Sequence, residues 1–305
     1  MAASLDLDQM PWSSCQDKPH KKSATYWFRA ADESLWIPTL FVTAISLPLS
    51  CVFLAIALGS LAGRSIPTSS RSLWDTGFGK VDYRAIVDMR SIGLLSAVAL
   101  SNTPQALFSI IYLVYNNLLT CMLMEHEWND FAHRRKPLRV SSPCGAQRST
   151  FWLQLPYRYA LPLVAASGLS HWLVSQSLFL ARIYAYDVDG VEQKELNIKT
   201  CGYSPIAILF TLIVSCVMCL ALGTLSFRKY SGSIPFAGHC SLVLSAACHP
   251  PPNDVNAADL PVMWGAFHKP NGKQYCSFTS FSVRPAKIEP ESYVKERTIH
   301  PFIGP

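Results

Sequence analysis

Ser34 to Gly63 reads SLWIPTLFVTAISLPLSCVFLAIALGSLAG, and no Asp, Glu, Lys, Arg or His interrupts it. At about 1.5 Å per residue, a helix of this length extends roughly 45 Å, more than the ~30 Å hydrocarbon core of a bilayer. Lipid offers no partner to backbone N–H and C=O groups, so the run is expected to satisfy them internally as a transmembrane helix. Pro38 lies in its opening turns, and Pro48 introduces a bend that membrane helices tolerate.

Further charge-poor runs lie downstream. Ser91 to Met124 is longer than one span needs. Asn102-Thr103-Pro104 resembles a helix start, so the run is either an interfacial helix followed by a span near Thr103 to Met124, or one kinked helix. Tyr159 to Ala181 and Thr200 to Phe227 give a third and a fourth span. The expected fold is an all-α integral membrane protein with about four transmembrane helices and a long, largely irregular C-terminal tail. Its segments are a polar N-terminal stretch (1–33), a transmembrane region (34–229) and a Pro-rich tail (230–305). The prolines of that tail argue against long helices, and Ser241 to Cys248 is far too short to span.

Composition agrees with this class. Charged residues make up 15 % of the chain, against about 25 % in soluble domains. The net charge of +6 sits in the connections, where it favours a lipid surface, and no basic run interleaved with aromatics points to nucleic acid. Lys and Arg number twelve in the segments before the first span, between the second and third and just after the fourth, against eight in the other two loops. That asymmetry predicts cytoplasmic N- and C-termini, with the acidic loop after Arg182 on the far side. Cys51, Cys121, Cys216 and Cys219 fall in apolar runs, where Cys packs as a small hydrophobe.

Several segments carry a resemblance: Phe78-Gly79-Lys80-Val81-Asp82, Ser101-Asn102-Thr103-Pro104-Gln105, Glu127-Trp128-Asn129-Asp130-Phe131 through Arg139-Val140-Ser141, His171-Trp172-Leu173-Val174-Ser175-Gln176, Cys201-Gly202-Tyr203-Ser204-Pro205 and Ala246-Ala247-Cys248-His249-Pro250. In these the chain resembles a fungal family of uncharacterised multi-pass membrane proteins. Those proteins are longer, and the similarity covers their C-terminal portion. The resemblance implies a membrane location and a fungal origin, and it implies no chemistry.

Candidate sites are few. His126, Asp130 and His133 stand at i, i+4 and i+7, one face of a continuing helix and a donor set that suits zinc or iron. A stable site needs more ligands, and the plainer reading pairs the acid with Arg134, Arg135 or Lys136. His239-Cys240 and Cys248-His249, with Cys276, match no common zinc spacing. Cys216-x-x-Cys219 lies deep in the fourth span, away from exchange partners. Ser170 and His171 are adjacent, so on a helix they diverge by about 100° and form no catalytic dyad. Arg139-Val140-Ser141-Ser142 resembles a basophilic phosphorylation site.

His171 stands near the middle of the third span, where an ionisable side chain is costly unless it faces protein or water. Ser167, His171 and Ser175 form one stripe, and Gln105, Ser109, Tyr112, Asn116 and Thr120 form another on the second span. The two faces are expected to meet. No catalytic set or cofactor motif emerges, so the leading expectation is a non-enzymatic membrane subunit, receptor-like module or scaffold. Its partners would be the lipid bilayer and another membrane protein or copy of itself. The alternatives are a metal-dependent membrane enzyme, or a fragment of a transporter or channel.

Overall fold

The computed structural model describes residues 26–89, 91–193, 195, 197–231, 234–238, 241–268 and 274–283. The charge-free run becomes α1 (Glu33–Gly63), which keeps both Pro38 and Pro48 inside it and stops at Arg64. A short α2 (Ser70–Asp75), capped by the Ser69 side chain, and strand β1 (Ile86–Asp88) follow in the polar connection. α3 (Leu94–Asp130) is a single helix of 37 residues with Pro104 inside it. Asn102-Thr103-Pro104 therefore does not start a helix. The Asn102 and Thr103 side chains donate to the Val98 and Ala99 carbonyls, both at 2.8 Å. These bonds brace the turn just before the proline, which membrane helices tolerate inside them.

α4 (Tyr157–Ser177) opens after Pro156, and α5 (Pro205–Ser226) has proline in its first turn and Ser204 as its cap. Between them the chain leaves the helical state. Strands β4 (Leu178–Ile183) and β5 (Ile198–Tyr203) pair antiparallel from Leu178↔Tyr203 to Ile183↔Ile198, and β1 joins the other edge of β5. The ends assigned to the third and fourth spans thus form a small three-stranded cap over one end of the bundle. A Cβ on Gly202 would lie 2.4 Å from the Phe179 ring, so any larger residue there would have to displace that ring.

The all-α expectation is corrected by this sheet and by two more pairs. β2 (Arg139–Val140) pairs in parallel with β3 (Arg148–Ser149) in the loop before α4. In the tail, a short α6 (Ser241–Ala247) precedes a hairpin of β6 (Met263–His268) and β7 (Gln274–Thr279). Pro261 stands two residues before β6, a place proline takes at strand boundaries generally.

Three helices, α1, α3 and α5, are long and apolar enough to cross a membrane. α4 falls short on composition, since Tyr157, Arg158, Tyr159, His171 and several serines dilute it. Outward-facing Ile37, Phe41, Ile56, Leu113, Val217 and Leu220 are exposed. A surface of that extent is at home in lipid and rarely tolerated in water. The main core joins Tyr115, Leu118 and Met122 of α3 to Leu163 of α4, Leu222 of α5 and the flanking Trp27 and Tyr230.

A second core fastens the hairpin to the end of α3, where Phe131, Trp264 and Phe278 are buried with Trp128 against them. Asp254 locks it. This buried carboxylate accepts from the Thr279 hydroxyl at 2.6 Å, from the Ser280 N–H at 2.7 Å and from the Ser280 hydroxyl. Arg135 donates to the Ser280 carbonyl from the α3 side. Burial alone would raise the carboxyl's pKa, but the bonds from Ser280 and Thr279, with Arg135 nearby, hold it below the usual value. A depressed folded pKa gives stability that is present above the unfolded value near 3.9 and lost as pH falls through the folded one. Asp254→Asn is expected to cost about 1–3 kcal/mol at neutral pH, seen as faster hydrogen exchange across β7. The gap from the natural chain should close as the pH drops below about 4.

Candidate functional site

α1, α3, α4 and α5 do not close completely on one another. They enclose a cavity of about 170 Å³, walled by Thr39, Thr43 and Ser46 of α1, Phe108, Tyr112 and Tyr115 of α3, Ser167, Ser170 and His171 of α4, and Ser215, Met218 and Cys219 of α5. A second cavity of about 230 Å³ lies on the other side of Phe108, bounded by Ser50, Ala57 and Ser60 of α1, Ser177 of α4, Tyr203 of β5 and Thr211 of α5. Phe108 touches both.

The walls are built by helical spacing. Thr39, Thr43, Ser46 and Ser50 recur at i, i+4, i+7 and i+11 on α1, and Thr211, Ser215 and Cys219 at i, i+4 and i+8 on α5, so each set occupies one face. Most hydroxyls donate backwards along their own helix: Thr39 to Leu35, Ser50 to Ser46, Ser170 to Ala166, Thr211 to Ala207 and Ser215 to Thr211, at 2.7–2.8 Å. Each hydroxyl proton is thereby used and each oxygen keeps accepting capacity. The walls therefore offer acceptors, and His171 is the ionisable imidazole among them. Tyr115 is tied to α5 by its hydroxyl, which donates to the Met218 carbonyl at 3.1 Å. At the sheet end the Tyr203 hydroxyl donates to Ser60 at 3.0 Å, and Ser177 and Thr211 bond at 3.1 Å.

The structure brings Ser167 and His171 to the same cavity as Tyr112. Among the described residues, no hydrogen bond joins His171 to α3. Ser175 donates to Trp172 and accepts from Gln176, Ser109 is exposed and donates to Gln105, and Thr120 donates to the Asn116 carbonyl. These polar groups are satisfied within their own helices, away from the cavity. The hydroxyl faces of α1 and α5 were missed, although the same periodicity displays them, because a serine on an apolar helix costs little and draws less notice than an imidazole.

His126, Asp130 and His133 do not converge. The His126 ring lies against Trp27 with centroids 4.9 Å apart, Asp130 pairs with Lys136, and His133 Nε2 lies 2.8 Å from the Ser231 carbonyl oxygen. Among the described residues, no group of three or more His, Cys, Asp or Glu is placed to hold a metal. His239 and Cys240 lie outside the described residues. His249 Nδ1 is 2.6 Å from the Ser245 carbonyl oxygen.

The end of α3 holds a different polar knot. Glu125 is 4 % exposed and accepts from the Ala237 N–H at 3.3 Å, and among the described residues its Oε1 has no partner. Tyr230 beside it donates to the Met122 carbonyl at 3.1 Å, and burial, with Glu125 nearby, pushes its phenol well above the usual range. This knot binds the chain after α5 to the wall helix α3.

The model of the family described as Domain of unknown function (DUF8419) matches residues 7–291. The chain belongs to this family. No curated protein and no solved structure matches it. The match takes in bundle and tail hairpin together.

Among the described residues the His171 imidazole has no hydrogen-bond partner, and in a mainly apolar cavity that costs stability which a ligand would recover. His171→Leu is therefore expected to stabilise the ligand-free protein by about 1–2 kcal/mol, read as a higher unfolding temperature in lipid nanodiscs. His171→Ala, which enlarges the cavity, is expected to lower it.

Proposed function

We propose that this chain is a multi-pass, non-enzymatic membrane module of receptor-like type, which holds a small and mainly apolar molecule between its helices. The cavity under His171 carries the reading. It is apolar in most of its wall, with a few convergent polar groups, as small-molecule sites are. Its polar groups are hydroxyls, the Cys219 thiol, the Trp36 indole and one imidazole; among the described residues no hydrogen bond pairs a nucleophile with His171, and the wall holds no carboxylate. Native mass spectrometry of protein extracted from membranes tests it. The expected result is a retained small molecule on the natural chain that is lost from Ser167→Phe and Ser215→Phe, which fill the cavity while the protein stays monodisperse. Identical adducts on all three would overturn the reading.

The same proposal takes α1, α3, α4 and α5 as four spans, with both termini in the cytosol, in a protein akin to the longer fungal ones it resembles. The 21 residues of α4 extend about 32 Å, and its packing between α3 and α5 lets its polar side chains face protein, as intramembrane polar groups require. An even number of spans returns the chain to the side it began on, and the Lys/Arg asymmetry favours the cytosol for that side. Ser141→Cys, in a chain with its other cysteines replaced, is expected to resist an impermeant thiol reagent in intact cells and to react after permeabilisation. Labelling without permeabilisation would reverse the orientation.

A further inference from the structure

Below the His171 cavity, where α4 begins and α5 ends, three cations sit on aromatic faces. The Arg158 guanidinium carbon lies 4.7 Å from the Tyr159 ring centroid, that of Arg228 lies 5.3 Å from Trp27, and the Lys229 ammonium lies 5.3 Å from Tyr26. Arg228 Nη1 also donates to the Tyr159 hydroxyl at 3.3 Å, so Tyr159 gathers both guanidiniums. The frame beneath them is backbone: Tyr26 bridges to Lys229, and the Trp27 N–H donates to the Arg228 carbonyl at 2.8 Å.

The cations are exposed, and the ion pairs seen among the described residues use Arg84, Lys136 and Arg139 instead. Asp32 and Glu33, exposed at the start of α1, form no ion pair with them. Stacking on an aromatic face restrains a cation while leaving its N–H donors available, and paired guanidinium donors match phosphate geometry. Exposed Tyr157 and Phe227 adjoin Arg158 and Arg228 in the chain, as aromatics are expected to where acyl chains meet head groups. Arg228 follows the cavity residue Gly223 by five positions, about 8 Å along a helix. Arg158 precedes Ser167 by nine, about 14 Å. That is the reach from a lipid phosphate to its upper acyl chain.

We propose that this corner is the head-group site of an anionic phospholipid, whose phosphate binds Arg158, Arg228 and Lys229 while one acyl chain enters the cavity between α1, α3, α4 and α5. The assignment rests on the cavity reading and names the class of its ligand. Charge complementarity selects the occupant: every phospholipid brings a phosphate, but a zwitterionic head group offsets it with its own cation, whereas an anionic one keeps a net negative charge for Arg158, Arg228 and Lys229 to meet.

The test adds phosphatidylserine and phosphatidylcholine in equal amounts to detergent-purified full chain and reads the bound lipids by native mass spectrometry. The natural chain is expected to favour phosphatidylserine by about fivefold or more, the effect of roughly one well-placed basic residue at a membrane surface. Arg158→Gln with Arg228→Gln keeps the aliphatic stems, so it should fold, bind lipid in similar total amount and lose the preference. Ser215→Phe should lose both lipids. Inorganic phosphate should not displace phosphatidylserine. Equal binding of the two lipids by the natural chain overturns the head-group site, while loss of both in Ser215→Phe keeps the cavity reading alive. A serine-lipid preference that survives Ser215→Phe overturns the placement of the chain, and displacement by inorganic phosphate overturns the lipid assignment in favour of a simple anion site.

Discussion

In a bilayer core no water relieves an unpaired polar group, and this one constraint organises the protein. Backbone groups are paired along the helices, and side-chain hydroxyls turn back to carbonyls one turn earlier, as in the Thr39, Ser170, Thr211 and Ser215 series. Apolar side chains are left to face outward. Helices in lipid gain nothing from burying leucine, so small and polar faces meet inside. The hydroxyl faces of α1, α4 and α5 follow that rule. Because small side chains fill space poorly, the same rule leaves the cavities between them. The void is a product of the solvent.

Much of the bundle was legible in the sequence, since a run such as Ser34 to Gly63 admits one reading, and the period of Ser167 and His171 announced an inward face. What escaped was local. Leu178 to Ile183 continues an apolar run without a break, and nothing in its composition says that it leaves the helix. The pairing partner, Ile198 to Tyr203, lies across a polar loop, and β pairing is a non-local property that single-segment patterns do not record. The tail hairpin was obscured for another reason. Proline density counts residues but not their positions, and the strands occupy the gaps.

The candidate site divides the same way. His171 and Ser167 were identified, because an ionisable group in lipid demands explanation. The arginines of the corner are scattered over Arg158 and Arg228, and the aromatic rings that align them come from Tyr159 and from Trp27 near the other end of the chain. No spacing rule links those positions. They come together because the segment before α1 crosses the ends of α3 and α5, with the Trp36 indole donating to the Phe28 carbonyl at 2.8 Å. His126 was drawn into the same crossing by Trp27, which explains why a metal-like spacing yields a stacked ring.

α3 extends well past what a bilayer needs. Its 37 residues make a rod of about 55 Å, with Tyr112 and Tyr115 in the cavity wall and Trp128 packed against the tail hairpin. The two ends of that rod answer to different surroundings. About 24 Å separates Tyr112 from Trp128 along the axis, so tilting the helix by roughly 5° at the cavity carries its far end about 2 Å. α3 is in that sense a lever, with its fulcrum at the cavity wall and its load the tail hairpin.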